Sequence, residues 1–423
     1  MTDVVVIGAG VAGLAAAHAL RAAGRDVIVL EASSRIGGRA WTTHPAELGG
    51  DPFDHGAAWL HAADHNKLVP IARAAGETLF DSDAARQERV WTGPGFATET
   101  EAAALDRAWD SYDRKGAELA HGPDRPLAAI ADALGDDPWA ATIEAWQGPV
   151  IDAAEPSDIS LADWHANELA GGNLMIPDGL GTFVARRLGP LAGDVRCGIA
   201  ATHLAWDGAG VRVETTSGTL DAGAAIVTVS TAVLAAGAIR FTPGLPDGTA
   251  QAIENLPLGC AVKVALRASG ADRLGLPPHT ALQRRLARRG DPFMVFNAWP
   301  FGRDHVIGWI GGDAGRALVR EGAAAAEAFA RAHLREMFGA AADRAFAPGA
   351  LVTGWDRDRF IGGAYSNARP GHAAARAALA APLADGRLIF AGEATHVGMA
   401  GTVGGAWETG LRAAQQVHAA LPT

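Results

Sequence analysis

Two cysteines in 423 residues leave no basis for a disulfide framework. Cys197 and Cys260 sit in apolar, strand-like segments without metal-ligand spacing, so unpaired thiols in a reducing compartment are expected. Long apolar runs are missing as well: no stretch approaches the roughly 18 residues that would suggest a transmembrane helix. The chain starts directly on an apolar strand and closes on the helix-like GLRAAQQVHAALPT. Neither a signal peptide, a membrane anchor nor a sorting tail is expected, and cytoplasm is the expected location. Positive charge is also short, with 36 Lys and Arg against 47 Asp and Glu, a net −11. That balance disfavours nucleic acid or an anionic membrane as partner. The cluster Arg284, Arg285, Arg288 and Arg289 reads as a solvated helix face. No nucleophile triad or metal cluster is evident, which turns attention to bound-cofactor chemistry.

What is abundant is glycine, 53 residues of it. At this length a large core and about two domains are expected. The first forty residues organise the rest. An apolar run Val4–Ile7 enters Gly8, Gly10 and Gly13, an alanine-rich helical stretch follows through Val11 and Ala12, and Val27–Leu30 ends on Glu31. This is strand, tight turn, helix and strand, with an acid 21 residues after Gly10. Gly8 makes the turn, Gly10 lets backbone approach a pyrophosphate, and Gly13 lets helix pack on strand. The helix N-terminus favours the anion, and Glu31 suits ribose hydroxyls. A dinucleotide is the expected ligand.

A second glycine turn, Ala32-Ser33-Ser34-Arg35-Ile36-Gly37-Gly38-Arg39, narrows this to FAD, whose extended form can reach a second loop. With this turn the chain resembles the FAD-binding amine oxidase family. The likeness continues in Gly56-Ala57-Ala58-Trp59, in Pro257-Leu258-Gly259 followed by Lys263, in Trp355 through Gly362-Gly363-Ala364-Tyr365, and in Gly392-Glu393 with Thr402-Val403. It implies that Ala32, Gly38 and Arg39 join the cofactor loops, and that backbone at Gly56–Ala58 approaches the isoalloxazine. Val195 would contribute backbone bonds to the adenine and Glu393 a bond to a ribityl or ribose hydroxyl. Lys263 would hold a water against flavin N5, and Trp355 would pack beside the ring. Tyr365 matches the first tyrosine of the monoamine oxidase aromatic cage, whereas Thr402 replaces the second. Ala364 stands where monoamine oxidases carry their flavin-linked cysteine, which implies non-covalent FAD. Those departures favour the polyamine oxidase-like branch. Lys263, Tyr365, Trp355 and Thr402 are the expected reaction-site residues, and the N–H groups of Thr402 and Val403 are expected to face the flavin pyrimidine. His55 and His61 lie close by without an assigned role.

The remaining chain reads as helices over 65–80, over 97–148 with breaks near His121 and Asp136, over 161–169 capped by Ser160, from about Thr182, and over 322–337. Strands are expected over 194–230, 261–266 and 291–312. Trp109, Trp139 and Trp146 read as helix-packing residues. The fold class is α/β: a Rossmann-like FAD domain of the glutathione-reductase type, with a discontinuous α+β substrate domain of mixed sheet and helices. Residues 1–64, 180–262 and 351–423 form the first domain in this reading, and 65–179 and 263–350 the second. The resemblance implies hydride transfer from a polyamine or small aliphatic amine to flavin N5, reduction of O2 to hydrogen peroxide, and hydrolysis of the imine to an aldehyde. Small amine and O2 are the expected partners, with monomer and homodimer both open. An L-amino acid oxidase, a desaturase or oxidase of another hydrophobic substrate, and a flavoprotein with a purely structural FAD are the alternatives.

Overall fold

The computed structural model describes residues 2–167 and 169–422. The first sheet has five parallel strands at its centre, in the order Asp194–Cys197, Val27–Glu31, Thr2–Ile7, Gly218–Val227 and Leu388–Phe390. Val4, Val5 and Val6 are fully buried, so a continuous apolar run is needed where both faces are covered. Val4, Val6, Val29 and Ile226 pack on one face with helix residues Leu14, Ala17, Ala413 and Val417. Val5, Ile7, Val227 and Phe390 pack on the other against Leu234, Ile253 and Leu379. The first half of Gly218–Val227 pairs antiparallel with Val211–Thr215, which continues the sheet outward.

Helices Val11–Ala22 and Val403–Ala420 cross on the first face. Their contact depends on Gly410, where a Cβ would lie 2.1 Å from the carbonyl oxygen of Ala12. Both N-termini therefore open on the same side, at the carboxyl ends of the parallel strands, where such sheets place their ligands.

A second sheet runs Leu351–Val352, Ala261–Arg267, His305–Gly311, Val295–Ala298, Thr280–Arg284 and Gln87–Trp91, antiparallel except for the last pair. Alternation sets the two faces of Ala261–Arg267. Val262, Val264 and Leu266 enter a core with Leu334 and Met337, while Ala261 and Lys263 face a large cavity. Helices Glu99–Ala120, Ala128–Leu134 and Ala140–Ala145 pack around Tyr112, Ile130 and Ile143.

Several elements differ from expectation. The helix expected over 65–80 spans only Leu68–Ala74; the chain turns at Gly76 (φ 76°), and Phe80–Asp81 is a strand. The helix expected over 161–169 is Leu161–Ala166, with Ser160 Oγ accepting from Asp163 N at 3.0 Å, and residue 168 lies outside the described residues. The arginine cluster forms no helix face: Thr280–Arg284 is a strand, and Arg289 beyond it pairs with Glu144 and Asp132. The division expected between 262 and 263 cuts through a strand of the second sheet, and Leu351–Val352 pairs with that same strand.

Candidate active site

One cavity of about 1440 Å³ extends from the first glycine turn to the second sheet. Single small-ligand sites usually occupy about 300–1,000 Å³, so this one has room for a dinucleotide and a second molecule. Gly8, Gly10, Val11 and Ala12 line one end, whereas Gly13 lies behind them. A Cβ on Gly13 would meet the Gly8 carbonyl oxygen at 1.9 Å, but one on Gly10 would meet nothing within 4 Å. The close approach is thus between helix and strand, and Gly10 faces open space. The helix that starts there has neither a side-chain cap nor an acid in its first turn, leaving N–H groups free for an anion. Glu31 accepts from Ala9 N and from Ser33 N, each at 2.8 Å, and keeps further lone pairs for hydroxyl donors. Ala32, Gly38 and Arg39 line the same end. Val195 does not: its strand pairs Val29 with Val195, and its side chain packs on the sheet core. Gly198–Ala201, just beyond, line the cavity instead.

Farther along, Gly56, Ala57, Ala58, Trp59, Lys263 and Trp355 come together on the wall. Lys263 is 7% exposed and donates from Nζ to the carbonyl oxygens of Asp54 and Gly56, both at 2.7 Å. One of its three N–H donors is left for the cavity. Burial lowers its pKa to about 8, against the opposing charge of Asp54. Burial likewise raises the Asp54 carboxyl, against Lys263, Thr42 and the N–H groups of Leu180 and Gly181. Trp355 Nε1 donates to His55 O at 3.0 Å, and His55 stacks on Trp41 at 4.0 Å. Burial, then Lys263 and Arg35, lower the His55 pKa to about 4, so this imidazole is neutral.

Tyr365, Gly392, Glu393, Thr402 and Val403 close the third side. All four lone-pair positions of Glu393 are engaged. Oε1 accepts from Arg39 at 2.9 Å and Ser366 N at 3.2 Å; Oε2 accepts from Ser366 Oγ at 2.7 Å and Gly401 N at 3.0 Å. Although burial alone would raise its carboxyl pKa, Arg39, Arg376 and the Ser366 bond hold it low. Glu393 therefore clamps loops around the cavity, and its protein partners leave no lone pair for the hydroxyl contact expected of it. The Thr402 hydroxyl donates to Met399 O at 2.8 Å and accepts from Gly405 N at 2.9 Å, capping the Val403–Ala420 helix. Thr402 and Val403 both line the cavity wall. Tyr365 lies against the Gly401 turn, 3.6 Å from where a Cβ on Gly401 would be.

The Flavin containing amine oxidoreductase family model matches residues 11–114 and 95–418. The chain belongs to this family. It is an FAD-dependent amine oxidoreductase of the polyamine oxidase-like branch. It is 30% identical over 460 residues to polyamine oxidase 4 of Oryza sativa subsp. japonica, covering 98% of this chain and 88% of that protein. Polyamine oxidase 2 of Arabidopsis thaliana is 29% identical over 459 residues, with 98% and 87% covered. In fold it is similar to wild-type putrescine oxidase bound to putrescine, with TM-score 0.81, 21% identity and 99% of each chain covered. The open face of Gly10, the uncapped helix N-terminus and the Glu31 carboxylate fit the pyrophosphate and ribose of the family's cofactor.

Around this amine oxidoreductase frame, Asp83 and Trp309 join the wall without a sequence signal, beside residues whose place there could not be read from the sequence. Asp83 accepts from both N and Nδ2 of Asn173, which turns Asn173 Oδ1 toward His61 Nδ1 at 2.7 Å. Nδ1 then carries the His61 proton and Nε2 is left as an acceptor. Burial lowers the His61 pKa, against Asn173 and Asp83, and keeps the ring neutral. Trp146 packs on Phe293, as expected of a packing residue, and also lines the cavity at the start of the π turn Trp146–Asp152. Its Nε1 donates to Gln283. Trp309 also lines the cavity, 5.8 Å from Lys263 Nζ and 5.6 Å from the Trp59 ring.

Proposed function

We propose that this amine oxidoreductase acts on a polyamine or small aliphatic amine, using non-covalent FAD and O2. The carrying observation is the single cavity that joins the dinucleotide cradle to a chamber walled by aromatic rings and by the carboxylates of Asp83, Asp113 and Asp152. Cations suit such a wall, and an apolar chamber suits an alkyl chain. The names of the relatives point the same way. When bound, FAD would supply a two-electron acceptor for the amine's α C–H and pass the electrons to O2 to give hydrogen peroxide, and the imine product would be hydrolysed by water to an aldehyde.

The protein's part is placement and exclusion of water. Gly8–Val11 and Glu31 hold the nucleotide, with Arg39 and Glu393 fixing the loops above it. The third N–H of Lys263 orients a water on one side of the site, Trp355 backs it, and the N–H groups at Thr402 and Val403 stabilise negative charge. Tyr365 and Trp309 confine the alkyl chain, and neutral His61 offers Nε2 to an N–H of the substrate. Ala364 has no thiol, so denaturation is expected to release the flavin intact. The test is anaerobic addition of putrescine, spermidine, benzylamine and amino acids to the yellow holoenzyme, followed by a peroxide assay in air. Bleaching by an aliphatic amine, with peroxide in air, is the expected result. Bleaching by amino acids alone would replace this reading by amino acid oxidation, and bleaching by none would remove it.

A further inference from the structure

Of the carboxylates in the cavity wall, Asp152 is given no step of its own in the scheme above. Asp152 ends the π turn Trp146–Asp152, and the next residue, Ala153, takes a left-handed conformation (φ 57°). The turn is anchored from outside. Asn367 Nδ2 donates to Asp152 O at 2.7 Å, and Cys260 N to Ala153 O at 2.7 Å. The side chain has no such anchor: Oδ2 is fully buried without a hydrogen-bond partner, while the residue lines the cavity.

The charged and titratable groups around it are Asp163, Arg376, Tyr365 and Tyr112. Arg376 already holds Asp163 at two points, 2.7 and 2.8 Å, and Arg39 holds Glu393 at 2.9 Å. Each of these guanidiniums thus has a carboxylate of its own, and Asp152 is the acid left over. Burial first and Asp163 second raise its carboxyl to about 7, against Arg376. A buried carboxylate of this kind is stable in its ionised form when a cation joins it. An alkylamine at neutral pH is such a cation.

We propose that Asp152 receives the ammonium group of the substrate beside Tyr365 and takes its proton. This rests on the amine-oxidation reading. An N–H bond of R–NH3⁺ breaks and an O–H bond forms on the Asp152 carboxylate, giving R–NH2 and a neutral acid. No electrons leave either partner in this step. The nitrogen lone pair that oxidation requires is exposed by it, and the site specifies amines with a proton to give.

The experiment compares wild type, Asp152→Asn and Asp152→Glu as flavin-loaded proteins. Tetramethylammonium is the binding probe, because its charge does not titrate; its affinity is read from the perturbed flavin spectrum. In wild type the affinity is expected to rise roughly tenfold or more as pH increases through about 7. Asp152→Asn should bind it weakly with a flat pH profile, and Asp152→Glu should keep the rise with a shifted midpoint. Anaerobic flavin reduction by the same amine panel should fall roughly tenfold or more at neutral pH in Asp152→Asn and recover at alkaline pH with the free-amine fraction. Identical tetramethylammonium profiles in wild type and Asp152→Asn would overturn the assignment. If Asp152→Asn does not fold, an unmoved midpoint in Asp152→Glu overturns it. Failure of every amine to bleach wild type strikes the amine-oxidation reading instead, and the tetramethylammonium profiles still judge Asp152.

Discussion

Lys263 is held in the cavity wall by two carbonyl oxygens, with its Nζ 6.0 and 5.8 Å from the rings of Phe53 and Trp309. Lys263→Met keeps an apolar stem but strands both carbonyls, at a cost of roughly 1–3 kcal/mol read from the denaturant midpoint. Flavin reoxidation by O2, followed by stopped flow, is expected to slow roughly tenfold or more, because a positive charge at the reacting centre is gone. Two histidines held neutral by burial contribute to acid sensitivity. His305 is fully buried with neither nitrogen hydrogen-bonded, and burial followed by Arg303 lowers its pKa from 6.5 to about 4. His55 is lowered to about 4 as well. Between about 6.5 and 4 the unfolded chain binds these protons and the folded chain does not, so stability is lost as pH falls through that window. The His305 share is on the order of 3 kcal/mol. His305→Leu should flatten the dependence of Tm on pH across this range; an unchanged slope would show that His305 is not the group responsible.

At the scale of elements, the close crossing of the two helices that aim N-termini at the cavity depends on small residues. A Cβ at Gly410 would lie 2.1 Å from Ala12 O and 2.8 Å from the Ala15 side chain. Gly410→Val must therefore push the helices apart, and with them the cofactor cradle. We expect a loss of roughly 1–3 kcal/mol or more together with a lower flavin-to-protein absorbance ratio; a destabilised variant that kept full flavin would separate helix packing from cradle geometry. Thr402 offers a cleaner dissection. Thr402→Ala removes the cap on Gly405 N and should cost about 1 kcal/mol in thermal or chemical unfolding. Thr402→Ser keeps the hydroxyl and should restore both stability and activity, as a capping role requires.

Across the whole molecule, what could be read in advance was what is local or repeated in pattern. Gly8, Gly10, Gly13 and Glu31 lie within one strand–helix–strand unit, and Lys263 stands out as a charge in an alternating strand. Asp54 could not be read, because its partners Leu180 and Gly181 lie 126 and 127 positions away. Asn173 likewise acquires meaning only once folding sets it between Asp83 and His61. The packing of Trp146 was legible, whereas its place in the cavity wall depends on the π turn that starts there. One long-range feature is a polar chain through the interior. Asp163 binds Arg376, Arg376 donates to Ser366, Ser366 donates to Glu393, and Glu393 accepts from Arg39. It ties the Leu161–Ala166 helix to the second glycine turn, so cofactor retention and global stability share one network. Arg376 is 1% exposed, and Arg376→Met would leave the Asp163 carboxylate buried without its cation, a loss of roughly 3–5 kcal/mol. The charge-neutral double variant Asp163→Asn with Arg376→Met should be more stable than Arg376→Met alone, because the uncompensated charge is gone. Urea midpoints and the flavin absorbance retained after gel filtration measure the two effects together. A double variant no more stable than the single would mean that geometry, rather than the unpaired charge, sets the cost of breaking this network.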